Sequence, residues 1–407
     1  MGLGTTRQQH ARVAWPRPAG LAAGVLAAGL ALAPALPAGA TARSATARST
    51  AARTATAPGT AGGRGTIGGP QLAGHGVIVN YPAARARRLP NVKASAYVIA
   101  DAGSGQVLAA KDPHGWYLPA STLKVLTAIT LMPVLNPDAS VLTTRRAANA
   151  EPSKVGLVAG DSYRVSDLFK AMLLISANDA AMSVAQATGS VSKGVAMMNA
   201  EAHRLRADDT VARRPSGLNG PGQHVSAYDE ALFARQALTI PQFMYDEQLR
   251  TVRFPLKPHH KPVTLWNQNT MLETYRGDLG GKIGWTTASK TTFVGWARRG
   301  GHTLVVTILH CKPLRELTYA AQLLDWGFAE DGRIKPVGVL VPPLPARTGP
   351  HRKALAAGPR ALPPAKLGHP GIPLIAGLGT IALAGLTGVT VAVLTRRGRR
   401  AGSRPAG

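Results

Sequence analysis

The sequence predicts an α+β domain: an antiparallel sheet flanked by helices, with a helical subdomain, followed by one C-terminal transmembrane helix. Three observations predict it. Strand-like patterns come first and last in the central region and helical patterns fill the middle, so the sheet closes only if early and late strands pair. All 20 acidic residues lie between Asp101 and Asp331, a window that also holds 24 of the 47 basic residues and so carries a net charge of only +4. Leu374 to Leu394 is an uncharged run of 21 residues, followed by Arg396, Arg397, Arg399 and Arg400.

The charge partition also excludes a function. The whole chain carries +27, but most of that sits in two flanks without a single acid. A nucleic-acid-binding fold would stripe the excess over the folded domain, so no nucleic-acid partner is expected. A single cysteine, Cys311, excludes an intrachain disulfide and cysteine-based zinc ribbons. It ends the apolar run Leu304 to Leu309 and reads as a buried structural thiol.

Residues 1–42 read as a secretory signal peptide. Arg7, Arg12 and Arg17 precede the apolar run Leu21 to Leu32; Pro34 and Pro37 break it; Ala38-Gly-Ala40 and Ala40-Thr-Ala42 offer small-residue cleavage sites. Residues 43–89 read as a disordered Ala/Thr/Arg-rich linker. Residues 90–331 are the expected domain, long enough to bury a sizeable core. Residues 332–373, with Pro-Pro at 342–343 and 363–364, read as an extended stalk. At ~1.5 Å per residue, 374–394 spans a bilayer core of about 30 Å. The arginines of 395–407 place the tail in the cytoplasm and the domain outside the cell membrane.

Within the domain, Ala94 to Ala100 alternates, Asp101-Ala-Gly-Ser-Gly105 is a turn and Gln106 to Ala110 runs back, which is a hairpin. Pro119 to Met132 has helical apolar spacing. Helical patterns recur at 166–174, 178–188, 191–205 and 226–248, the last with a break at Pro241. Strand patterns follow around Gly281–Trp285, Thr292–Arg298 and Thr303–Leu309, then a helix from Arg315 to Phe328.

Three short segments carry candidate chemistry. In Ser121-Thr-Leu-Lys124, a serine at the first turn of a helix shares a face with the lysine three residues on. The serine N–H points out of the helix N-terminus, where it can serve half of an oxyanion hole. Lys124 can take the hydroxyl proton if burial and a neighbouring cation lower its pKa. Ser176-Ala-Asn178 sits at the junction of two apolar helices and can project into a cleft, although Ser and Asn are also ordinary helix caps. In Gly280-Gly-Lys-Ile-Gly-Trp-Thr-Thr287, glycines flank Lys282 on a strand and leave room for a ligand backbone; a plain edge strand guarded by lysine is the plainer alternative. Alone, each segment is common. In this order, in an exported domain, they match the three motifs of the penicillin-recognising serine enzymes.

On these residues the chain resembles the low-molecular-mass penicillin-binding proteins, the serine-type D-alanyl-D-alanine carboxypeptidases. The resemblance runs from about Val92 to Phe328. It includes Leu173-Leu-Ile-Ser-Ala-Asn-Asp-Ala-Ala, Pro215-Ser-Gly-Leu-Asn and Leu323-Leu-Asp-Trp-Gly-Phe328. It implies a penicillin-binding-protein/β-lactamase-like fold and a two-step hydrolysis of peptidoglycan stem peptides ending in D-Ala-D-Ala, with β-lactam antibiotics as acylating ligands. Ser121 would be the nucleophile, Lys124 its base and Ser176 the proton relay. Asn178 would contact the substrate amide. Lys282 would help bind the terminal carboxylate and hold down the Lys124 pKa. Gly284 and Thr286 would line the substrate strand, and the N–H groups of Ser121 and Trp285 would hold the oxyanion. No metal and no cofactor are implied.

One residue departs from the family pattern. Ile283 stands where the third motif usually has threonine, and it has no hydroxyl for the substrate carboxylate. This motivates a non-enzyme alternative, a wall-binding pseudoenzyme. A β-lactamase is the remaining alternative, but the E-x-x-L-N pentapeptide that class A enzymes use for deacylation is absent from the sequence.

Overall fold

The computed structural model describes residues 65–82, 86–256 and 261–345. The expectations for 1–42, 374–394 and 395–407 lie outside these residues, as do most of the linker and stalk. Among the described residues no helix is long and apolar enough to cross a membrane.

In chain order, strand β1 (Val77–Val79) precedes the hairpin β2 (Ala94–Asp101) and β3 (Gln106–Lys111). A 3-10 turn, Ala120–Leu123, leads into helix α1 (Lys124–Leu131). The helical region then holds β4 (Ser140–Leu142), α2 (Arg145–Ala148), β5 (Ser162–Arg164), α3 (Val165–Leu174), α4 (Asn178–Gln186), α5 (Val191–Arg204), α6 (Ala227–Ala237) and α7 (Pro241–Glu247). A small hairpin, β6 (Thr251–Phe254) and β7 (Val263–Trp266), and the short α8 (Met271–Thr274) lead to β8 (Asp278–Thr286), β9 (Lys290–Arg299), β10 (His302–Cys311), α9 (Glu316–Glu330) and β11 (Gly338–Val339).

The main sheet is antiparallel, with order β1-β3-β2-β10-β9-β8 and β11 also on β3. The early hairpin therefore joins the late strands through β2 and β10, as the strand order along the chain requires. Val306 stands opposite Ile99 and Val305 opposite Ala100. β2 is buried along almost its whole length because helices cover both faces of the sheet. Alternate side chains of each strand feed different cores. Val294, Trp296 and Val305 pack with the helical region, while Phe293, Val306 and Ile308 pack with Tyr319, Leu323 and Leu324 of α9.

The folded region is wider than the expected 90–331. β1 lies in the segment read as linker and pairs with β3, Val77 opposite Lys111. β11 lies in the segment read as stalk, and Val337 and Leu340 beside it are buried. Both strands cap the exposed edge of β3, which removes a row of unpaired backbone groups. Pro241 does split the 226–248 pattern, and it does so as the first residue of α7, where its missing N–H costs nothing. Cys311 is buried with a free thiol.

Candidate active site

Ser121 sits in the 3-10 turn and not in the α-helix proper. The residue before it, Ala120, has φ 49°, a conformation that costs a non-glycine residue about 1–3 kcal/mol. The neighbourhood holds it there. The Pro119 carbonyl accepts hydrogen bonds from Thr122 Oγ1 (2.7 Å) and from Thr292 Oγ1 of β9 (2.8 Å). Gly217, at φ 81°, lies so close that a Cβ there would overlap the Ala120 carbonyl. Thr122 Oγ1 is also 2.7 Å from Glu230 Oε1. Burial pushes the Glu230 carboxyl up to about 8, so at neutral pH it is largely a hydrogen-bond donor beneath the nucleophile turn.

Lys124 is fully buried at the start of α1, and its Nζ touches three oxygens: Ser121 Oγ at 2.9 Å, Asn178 Oδ1 at 2.7 Å and the Ser216 carbonyl at 2.6 Å. The arrangement suits a neutral amine. Such an amine has two N–H donors and one lone pair. Asn178 Oδ1 and the Ser216 carbonyl can only accept, so they take the two donors. The lone pair is left facing the one partner that can donate, the Ser121 hydroxyl. The Lys124 pKa is indeed lowered well below that of a free lysine, first by burial and then by the positive charge of Lys282, with Asp179 partly opposing.

Ser176 and Asn178 bridge α3 and α4. Ser176 has φ 64°, and its Oγ is shut off from solvent without a hydrogen-bond partner. Asn178 Nδ2 donates to the Glu151 carbonyl (2.9 Å). With Oδ1 on Lys124, Asn178 first positions the lysine and keeps one N–H for any ligand. Asp179 accepts from the backbone N–H groups of Val155, Gly156 and Leu157, which pins the preceding loop against the start of α4.

β8 brings the third segment to the first. Gly284 faces the nucleophile turn so closely that a Cβ would lie 2.6 Å from the Ser121 nitrogen. Lys282 is buried on the same face of the strand and donates to the Ile283 carbonyl (3.0 Å). Burial lowers its pKa, and the attraction of Glu247 partly restores it; the same burial raises Glu247. Ile283 points to the other face and packs against the α9-side core. Trp285 is about half exposed. The Thr286 hydroxyl lies 2.8 Å from Ser289 Oγ and 3.3 Å from Asn219 Oδ1, engaged within the β8–β9 turn.

Of the sequence-expected residues, Lys124 touches Ser121, Asn178 joins through Lys124, Gly284 approaches by its backbone and Lys282 acts on Lys124 by charge, whereas Ser176 has no hydrogen-bond partner and Thr286 is engaged with Ser289 and Asn219. Three contributors were not anticipated. Ser216 acts through a backbone carbonyl, which has no sequence signature. Glu230 and Glu247 are ordinary helix residues in the sequence, and only the fold brings them beneath the nucleophile and beside Lys282.

A partly exposed serine held against a buried lysine, with a second buried lysine from an edge strand of an α+β sheet, defines a serine hydrolase of the penicillin-binding class. A family model described as D-alanyl-D-alanine carboxypeptidase matches residues 83–312. D-alanyl-D-alanine carboxypeptidase DacB2 of Mycobacterium tuberculosis is 38% identical over 248 residues, 59% of this chain and 84% of that protein. D-alanyl-D-alanine carboxypeptidase DacF of Bacillus subtilis is 27% identical over 58% of this chain and 63% of its own length. The crystal structure of a D-alanyl-D-alanine carboxypeptidase from M. tuberculosis is matched with a TM-score of 0.60 and 36% identity, over 64% of this chain and 99% of that one. That of a Streptomyces DD-transpeptidase gives 0.56 and 25%, over 60% and 100%. The chain belongs to the D-alanyl-D-alanine carboxypeptidase family and is a serine DD-carboxypeptidase.

Proposed function

We propose that the protein removes the terminal D-alanine from peptidoglycan stem peptides through an acyl-enzyme on Ser121, and that penicillins acylate the same oxygen. The observation that carries this reading is the 2.9 Å approach of a buried Lys124 Nζ to Ser121 Oγ, with its other two contacts on obligate acceptors. Ser121 attacks the carbonyl of the penultimate D-alanine and Lys124 takes its proton. Ser176, buried and unpartnered, passes a proton to the leaving D-alanine nitrogen. Water then hydrolyses the ester. Splitting one amide hydrolysis into two steps lowers each barrier.

The oxyanion is held by the N–H groups of Ser121 and Trp285, and preorganised donors of this kind are worth about 3–4 kcal/mol each. The substrate backbone lies along β8, where Gly284 leaves room for it. Lys282 supplies positive charge for the terminal carboxylate and keeps Lys124 from being charged. In this reading residues 1–42 export the chain, and 374–394 anchor it in the cell membrane with the domain outside. Release of D-alanine from diacetyl-Lys-D-Ala-D-Ala by the purified protein, abolished in Ser121→Ala, is the expected result. Release that persists in Ser121→Ala would rule the mechanism out, and no release from the intact protein would favour the pseudoenzyme.

A further inference from the structure

At the end of the sheet remote from Ser121, three ligand-type side chains converge. Asp101 ends β2, His302 begins β10, and Asp331 follows the last residue of α9. The strands hold the first two together: Leu304 pairs with Asp101, and Ala102 N–H donates to the Thr303 carbonyl (2.8 Å). The whole ten-residue length of β10 separates this corner from Cys311 at the active-site end, about 30 Å of strand.

The donor atoms are placed for a shared cation. Asp101 Oδ1 accepts from both the N–H and the hydroxyl of Ser104 (2.7 Å each), which fixes the carboxylate and leaves Oδ2 to face inward. Oδ2 lies 3.8 Å from His302 Nδ1, and Asp331 Oδ2 lies 2.8 Å from the same nitrogen. Both carboxylate side chains are only 9% exposed. Asp331 Oδ2 has no contact with solvent, and the His302 nitrogen is its one near partner among the described residues. Among the described residues, neither carboxylate has an ion-pair partner other than this one imidazole. Two carboxylates shut away together around one imidazole form an anionic pocket suited to a cation. All three ligand atoms lie within 4.8 Å of one another. A tetrahedral ion with bonds near 2.1 Å sets its donors about 3.4 Å apart, inside the range seen here.

We propose that Asp101, His302 and Asp331 form a site for a divalent transition-metal ion, with Zn2+ as the fitting example, that ties the C-terminal end of α9 to β2 and β10. One nitrogen and two oxygens, completed by water on the exposed side of His302, suit Zn2+ and not the six to eight oxygens that Ca2+ takes. The role is structural, because the site is a sheet-length away from the nucleophile.

The test is titration of the metal-stripped full chain with ZnCl2, read by calorimetry and by thermal melting. The expected result is one Zn2+ per chain lost in both Asp331→Asn and His302→Gln. The wild-type melting midpoint should rise by roughly 5 °C at a hundredfold excess over Kd and stay unmoved by CaCl2. Circular dichroism checks that each variant folds; if Asp331→Asn does not, the exposed His302→Gln decides. Absence of Zn2+ binding, or binding of equal stoichiometry and affinity in His302→Gln, overturns the proposal and leaves the cluster as an ion pair.

Discussion

Replacing Asn178 by aspartate tests the arrangement around Lys124 with little change in shape. Asn178 Oδ1 is 2.7 Å from Lys124 Nζ, so Asn178→Asp puts a full negative charge where an amide oxygen stood. An opposite charge at such range raises an amine pKa by about 1–3 units, each unit being about 1.4 kcal/mol. Lys124, now held low by burial and by Lys282, would keep its proton to that much higher pH. The acid limb of the acylation rate against pH should move up by about 1–3 units, and on that limb the rate at fixed pH should fall roughly 10- to 1,000-fold. The assay is the rate of fluorescent-penicillin labelling from pH 5 to 10 for the wild type, Asn178→Asp and Asn178→Ala. The alanine variant loses one acceptor without adding charge, so its rate drops with no upward shift of the limb. The aspartate also sets an oxygen against the Glu151 carbonyl, now 2.9 Å from Nδ2, so melting curves accompany the kinetics. An Asn178→Asp profile that matches the wild type after scaling by a constant would refute the idea that a neutral Lys124 is the base.

Three further outcomes follow from the same geometry. Gly284→Ala places a methyl 2.6 Å from the Ser121 nitrogen, so labelling should fall at least 100-fold while circular dichroism is unchanged; near-normal labelling would mean that β8 does not form the oxyanion side of the site. Ile283→Thr trades part of an apolar contact for a hydroxyl, at a stability cost of about 1–2 kcal/mol. Because the side chain at 283 faces the α9-side core and not Ser121, kcat/KM should change by less than about threefold, and a rise of roughly 10-fold or more would show that the hydroxyl reaches the substrate carboxylate after all. Stability should fall as pH rises from about 5 to 8. Burial raises the carboxyls of Glu230 (to about 8), Asp278 (to about 7) and Asp246 (to about 6), so the folded state holds protons that the unfolded chain releases near pH 4–5. Glu230 alone contributes on the order of 2–5 kcal/mol over that window. Urea unfolding at pH 5.5 and 8 measures it, and Glu230→Gln should flatten the slope.

The long elements were legible in the sequence because periodicity survives over eight or more residues. The hairpin of β2 and β3, the helices α3 to α6, the strands β8 to β10 and α9 all lie within a few residues of the expected spans. The short ones were not. β1 and β11 have three and two residues, too few for any alternation, and they are strands only because β3 offers its edge. The small two-stranded sheets β4–β5 and β6–β7 were missed for the same reason. At the site, Ser121, Lys124, Ser176, Asn178 and Lys282 could be named because side-chain chemistry marks them. The placement of Ser121 on a strained 3-10 turn could not, since it depends on Gly217 and Thr292 from distant segments. Asn178 was expected on the substrate; the fold shows it first holding Lys124.

The most direct measurement of the central claim is mass spectrometry of the protein after brief exposure to penicillin. One adduct per chain, confined to the peptide carrying Ser121 and absent in Lys124→Ala, is the predicted result. An adduct on another residue, or Lys124→Ala labelling at the wild-type rate, would contradict the account.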